Sequence, residues 1–123
     1  YFSNSDFTII FWVRLIDCGW YTKLIDFGVG NQNRVIFAIS HDNNCLPYVY
    51  FSNGASIKNR ATSVSFSLYQ WYHVAVTLNS IDLRVYINGV IRLSDSGFQV
   101  PSVNRTSCFI GRSNDGNPPD SCN

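Results

Sequence analysis

Apolar and polar residues alternate over long stretches of this chain, most clearly in Trp71-Tyr72-His73-Val74-Ala75-Val76-Thr77-Leu78. Tyr72, Val74, Val76 and Leu78 fall on one face, and after a polar turn Leu83, Val85 and Ile87 fall on one face of the next run. A period of two marks strands with one buried face, so the two runs predict a long β-hairpin. Asn88-Gly89 then suits a left-handed turn into Val90-Ile91-Arg92-Leu93. Alternation and turn punctuation together predict strands at 7–15, 23–27, 34–41, 48–52, 61–68, 71–78, 81–88, 91–94 and 106–112. Asn53-Gly54 is a second hairpin signal, and the small, polar face of 61–68 (Ala61, Ser63, Ser65, Ser67) is expected to meet solvent or a ligand groove. Trp12, Trp71, Tyr48 and Tyr50 lie in strands and are assigned to packing. No stretch carries helical periodicity or an internal repeat, and the Asn-, Asp-, Gly- and Pro-rich segment 113–123 reads as an irregular tail.

Composition turns these strands into an all-β sandwich, because Val, Ile, Phe, Tyr, Ser and Thr dominate. The 123 residues make a single domain, 1–123, large enough to bury roughly two-thirds of its unfolded surface. The net charge of +1 gathers into no basic stripe, which excludes a nucleic-acid partner. No apolar run is long enough for membrane insertion by this segment. The chain has no Met and hence no initiator, so it reads as a mature piece or an excised fragment, with any targeting segment and further domains expected in a parent chain. All eight acidic residues are Asp.

Cys18, Cys45, Cys108 and Cys122 lack the Cys-x-x-Cys spacing of a zinc or redox site and read as a disulfide framework. Asn104-Arg105-Thr106 is a glycosylation sequon at Asn104. Both features point to an extracellular or secreted protein, or to the ectodomain of a membrane protein. If the strands between them run up, down and up, Cys18 and Cys45 emerge at one end of the sandwich and can pair, leaving Cys108 with Cys122. The two other connectivities remain open.

The pattern Trp-x-His-Val-Ala-x-Thr-Leu (71–78) followed by Leu-x-Val-Tyr-x-Asn-Gly (83–89) resembles the LamG-like jellyroll family, relatives of laminin G domains, pentraxins and the concanavalin A-like lectins and glucanases. Ser5-Asp6-Phe7-Thr8-Ile9-Ile10-Phe11-Trp12-Val13, Leu24-Ile25-Asp26-Phe27-Gly28 and Cys108-Phe109-Ile110-Gly111-Arg112 extend the resemblance in the same order. It implies a two-sheet antiparallel jellyroll β-sandwich. Relatives also carry one or two strands before the Phe-Thr strand and a final Asp-Asp-Phe-Arg-Ile-Tyr strand. This chain contains neither, so its boundaries are expected to cut the domain at both ends and to leave sheet edges unpaired.

Glucanases of this fold use two Glu flanking an Asp on one strand, and with no Glu that site cannot form. His41 and His73 stand without a nucleophile elbow or a zinc-protease helix, and His73 occupies a structural family position. The chain therefore reads as no enzyme. The loop Asn114-Asp115-Gly116-Asn117-Pro118-Pro119-Asp120 is the candidate Ca2+ site, since calcium takes six to eight oxygen ligands from such loops. Relatives bind calcium at one rim, and the resemblance implies that Asp115, Asn117 and Asp120 share an ion, with Asp26 or Asp42 as a further ligand. A solvated turn is the alternative for this loop. Trp20 and Tyr21 follow Cys18-Gly19 in a rim loop and are the candidate sugar-stacking pair. The expectation is a non-enzymatic extracellular recognition module, calcium-assisted, that binds a glycan or an extracellular protein. The alternative is a structural spacer domain with no ligand of its own.

Overall fold

The alternating runs fold into strands whose pairings, among the described residues, are all antiparallel. The computed structural model describes residues 6–19, 22–30, 32–39, 44–100 and 102–112. Among them lie nine strands: β1 (Phe7–Arg14), β2 (Lys23–Val29), β3 (Gln32–Ile39), β4 (Pro47–Ser52), β5 (Ile57–Ala61), β6 (Trp71–Asn79), β7 (Asp82–Ile87), β8 (Val90–Asp95) and β9 (Ser107–Ile110). They form one sheet in the order β1-β6-β7-β8 and a second in the order β5-β4-β3-β2-β9. This is the all-β sandwich expected from the alternation, in the two-sheet antiparallel jellyroll form implied by the resemblance. Among the described residues no helix is long and apolar enough to cross a membrane.

The predicted hairpin forms in the register its pattern demands. Val74 pairs with Ile87, Val76 with Val85 and Leu78 with Leu83, and all six side chains are buried. Each buried aliphatic of this size contributes roughly 1.5–3 kcal/mol relative to exposure. Asn88 and Gly89 both take positive φ, 51° and 79°, the left-handed geometry that a tight turn from β7 into β8 requires. The five-stranded sheet supplies the facing half of the core from Ile25, Val35, Phe37, Ile39, Val49 and Phe51.

Cys18 and Cys45 are disulfide-bonded, with Cα atoms 5.5 Å apart, as the strand count anticipated. The bridge joins the segment after β1 to the segment before β4 and so ties the two sheets at one end. Cys108 is exposed on β9, and its expected partner Cys122 lies outside the described residues.

Three expectations are corrected. The alternating run 61–68 is not a strand; the hairpin partner of β4 is Ile57–Ala61, one turn earlier. Thr62 and Phe66 do point inward, but the N–H groups of Thr62, Ser63 and Phe66 donate to Pro47, Arg92 and Cys45 in turn, and that of Tyr69 just beyond donates to Leu15. The segment bridges the two sheets instead of following one neighbour. Asn53 Oδ1 closes the β4–β5 turn by accepting from the N–H groups of Ala55 and Ser56 at 3.1 and 2.8 Å. Tyr48 and Tyr50 are half-buried on the face opposite Val49 and Phe51, not in the core. Trp12 and Trp71 are exposed, because the odd-numbered residues of β1 and the even-numbered residues of β6 fill the interior.

The β5 and β8 edges are clasped. Arg60 Nε and Lys58 Nζ lie 2.8 and 3.3 Å from Asp95 Oδ2, Lys58 also donates to the Ser96 carbonyl, and Ser63 N–H donates to the Arg92 carbonyl at 2.9 Å. The Ser96 N–H donating to Asp95 Oδ1 holds the Asp95 carboxyl below its usual range; desolvation opposes this, and Lys58 and Arg60 reinforce it. A carboxyl with a depressed folded-state pKa stabilises above its unfolded pKa and loses that contribution as pH falls through the folded value. The melting temperature of the wild type should therefore exceed that of Asp95→Asn at neutral pH, with the gap closing in strong acid. A gap independent of pH would mean that the clasp works by packing alone.

Candidate functional site

The outer face of the four-stranded sheet is set by register. Trp12 on β1 stands opposite His73 on β6, and Arg14 stands opposite Trp71. The next row runs Ile10, Ala75, Tyr86, Ile91 across all four strands, and the row beyond it runs Thr8, Thr77, Arg84, Ser94. Trp12 is 64% exposed and Trp71 61%. Tyr69, just before β6, is exposed beside them, with the Arg14 guanidinium 5.9 Å from its ring centre.

The side chains on this face are held in place. The His73 ring meets Trp12 edge-on at 5.1 Å, which orients the indole. The His73 N–H donates to Asn88 Oδ1 at 2.9 Å, and the His73 carbonyl accepts from the Asn88 N–H at 2.8 Å. These bonds anchor the β7–β8 turn at the edge of the aromatic face. Exposed Ile10, Ile91, Trp12, Trp71 and Tyr69 together make a wide apolar surface. Contiguous apolar surface beyond a few hundred Å2 on a soluble domain marks an interaction site. The face offers flat rings flanked by guanidinium, imidazole, amide and hydroxyl groups, a combination that can stack on and hydrogen-bond to a ligand.

A second feature lies at the edge of β1. Between β1 and the β2–β9 edge a cavity of about 640 Å3 opens. Its walls include Phe11, Val13, Ile25 and Phe27, and Ile110, 82% exposed, stands at its lip. β1 and β9 each have one strand neighbour among the described residues. Apolar side chains dominate its lining, and Arg14, Asp17 and Thr22 add polar groups of the kind that orient a polar guest.

Trp20, Tyr21, Asp115, Asn117 and Asp120, with Asp42 and His41, lie outside the described residues. Asp26, considered as a further calcium ligand, is fully buried and engaged by Arg34, whose Nε donates to Oδ1 at 3.0 Å and whose second nitrogen pairs with Oδ2. Its carboxylate is committed to the guanidinium. Among the described residues no three His, Cys, Asp or Glu side chains cluster as a metal site. Asn104 is exposed ahead of β9. The aromatic face is hard to read from sequence because Ile10 and Trp12 make the middle of the outward set of β1 as apolar as the inward set, with Thr8 and Arg14 only at its ends. The sign that could have revealed it was Trp12 and Trp71 falling on the side opposite Val13 and Val74.

Comparison with known proteins agrees with this architecture. Residues 1–121 match the laminin G family model described as the concanavalin A-like lectin/glucanases superfamily. No curated protein matches in sequence. Domain 4 of AbnA, an extracellular arabinanase from Geobacillus stearothermophilus solved with arabinotriose, is similar in structure with a TM-score of 0.73 at 23% identity, covering 98% of this chain and 57% of that one. Domains LG4-5 of the mouse laminin alpha1 chain give 0.69 at 9% identity, covering 94% and 30%. A pentraxin of the horseshoe crab Limulus polyphemus gives 0.60 at 18% identity, covering 89% and 52%. The chain thus spans well under two-thirds of the length of each of these structures. The motif order, the two antiparallel sheets and the match over nearly the whole chain place it in the concanavalin A-like lectin/glucanase superfamily, as a laminin G-type domain.

Proposed function

We propose that the chain is a non-enzymatic, extracellular recognition module that binds a glycan on the outer face of the four-stranded sheet. The observation that carries this reading is the pair Trp12 and Trp71, each more than three-fifths exposed on one sheet face. Leaving such rings in water forfeits roughly 1.5–3 kcal/mol apiece relative to burial, and a partner that covers them recovers it. A sheet also holds them rigidly, so little conformational entropy is lost on binding. The absence of Glu from the sequence supports a non-catalytic role, and the disulfide with the exposed sequon at Asn104 supports an oxidising, extracellular setting. The arabinanase domain solved with arabinotriose supports a sugar as the ligand class.

Calcium assistance through Asp115, Asn117 and Asp120 belongs to the same proposal. Calcium should raise the melting temperature relative to EDTA, and Asp115→Asn with Asp120→Asn should abolish the rise. A wild-type melt indifferent to calcium removes that part.

The test of the main reading is calorimetric titration with a panel of soluble polysaccharides. Trp12→Ala and Trp71→Ala should each weaken binding by about 10- to 100-fold while melting as the wild type does. Binding that both variants leave unchanged places the site elsewhere. The aliphatic share of the face, Ile10 and Ile91, favours a second reading, a protein surface or neighbouring domain seated there in a parent chain. That reading gains if no glycan binds.

A further inference from the structure

We infer that Tyr69 is a third ligand-contacting ring of the aromatic face, held in a strained backbone for binding and not for folding. This rests on the reading of that face as a glycan site and adds the residue that carries the site past the end of the sheet. Five non-glycine residues among those described have positive φ: Asn33, Cys45, Tyr69, Ser80 and Asn88. Asparagine tolerates the left-handed region, Ser80 turns the chain from β6 into β7, and Cys45 is bonded to Cys18. Tyr69, at φ 62°, is the bulky one. A Cβ in that region crowds the following carbonyl, so glycine or asparagine would take this conformation at lower cost than a large aromatic.

Neighbouring main-chain bonds impose the conformation. The Tyr69 N–H donates to the Leu15 carbonyl at 2.7 Å. The Ser67 N–H donates to the Tyr72 hydroxyl at 2.9 Å, and the Tyr72 ring stacks on buried Phe66 at 4.3 Å. None of these contacts uses the Tyr69 side chain, so any residue at this position meets the same left-handed geometry. The Tyr69 ring stands outside the core cluster and is 61% exposed. It meets the Arg14 guanidinium at 5.9 Å, and a cation–π contact at so exposed a site stabilises little. Strain kept at an exposed ring, with no burial to offset it, points to a role in contacting a ligand.

The position of the ring agrees with that role. Arg14 is the register partner of Trp71, so the ring beside Arg14 adjoins the Trp71 row from just beyond the end of β6. Trp12, Trp71 and Tyr69 extend one apolar surface off the sheet, and a linear glycan that stacks on the tryptophans continues onto Tyr69. A tyrosine ring offers a large, stiff contact area and loses little entropy when covered.

The experiment measures melting and calorimetric binding of Tyr69→Gly and Tyr69→Phe, with linear arabinan, xylan and heparin as the probes. Tyr69→Gly should melt no lower than the wild type, up to about 5 °C above it, and should weaken each polymer that binds by about 5- to 50-fold. Tyr69→Phe keeps the ring and should bind within about twofold of the wild type. A Tyr69→Gly variant that melts below the wild type overturns the inference, because the ring then serves folding. One that binds as the wild type does overturns it too, and if Trp12→Ala still loses binding, the glycan reading stands without Tyr69. Failure of the folded wild type to bind any of the three polymers overturns both.

Discussion

Asp26→Ala should lower the stability of the folded chain by about 3–5 kcal/mol, the cost of leaving a buried charge without its partner. Asp26 is 0% exposed and Arg34 5%, and the guanidinium grips both carboxylate oxygens. Both residues lie on the outer face of the five-stranded sheet, opposite the sandwich core, where Ile36 and Ala38 are buried as well. Arg34 reaches Asp26 by running past Gly28, where a Cβ would come within 2.8 Å of Arg34 Cγ. Gly28→Ala should therefore disturb the same pair without touching either charge. Replacing both partners with apolar residues, Asp26→Leu with Arg34→Met, should recover most of the loss, because no charge is then stranded. Denaturant unfolding of the single and double variants measures this. A single-variant loss under about 1 kcal/mol would mean that water reaches the guanidinium readily.

Phe98→Ala should cost a comparable 3–5 kcal/mol. Phe98 belongs to no strand, yet it is fully buried. Its ring meets Phe51 edge-on at 5.0 Å, and Lys58 Nζ sits 4.5 Å from its centroid. Its N–H donates to the Ile81 carbonyl at 3.1 Å, anchoring the segment after β8 against the β6–β7 turn. Gly97, at φ +82°, makes the bend that lets the ring enter. Truncation would leave a cavity between the sheets beside the clasp formed by Lys58, Arg60 and Asp95, a place where strands on both sides are tied and cannot collapse into it. The denaturation midpoint should fall with little change in slope. A loss of less than about 1.5 kcal/mol would mean that the segment repacks.

Much of the fold is legible from residue order because its signals are local. The β6–β7 hairpin follows from Tyr72, Val74, Val76 and Leu78 alternating against Leu83, Val85 and Ile87, and the next turn follows from Asn88-Gly89, whose backbone preference needs no distant partner. The run 61–68 misleads because alternation reports burial and not hydrogen-bond partnership. Thr62 and Phe66 point inward from a segment that crosses between sheets. The true strand β5, Ile57–Ala61, reads Ile-Lys-Asn-Arg-Ala and has no buried residue, so as an exposed edge it carries no apolar stripe.

The sequence by itself determined the all-β architecture, the β6–β7 hairpin with the turn after it, and the lack of the Glu pair that glucanases of this fold use; it allowed the Cys18–Cys45 bridge, which the structure then selected among three pairings. The first three depend on periodicity, turn chemistry and residue identity. Only the tertiary structure decided that Ile10, Trp12 and Trp71 face water, because the middle of Phe7–Arg14 is apolar on both sides and the choice depends on where the second sheet packs. It decided in the same way that Asp26 answers to Arg34, that Phe98 plugs the clasped edge and that Trp12, Trp71, Arg14 and Arg84 share one surface. Each of these relations joins residues distant in the chain, whose proximity comes from strand register and from burial that no local pattern encodes.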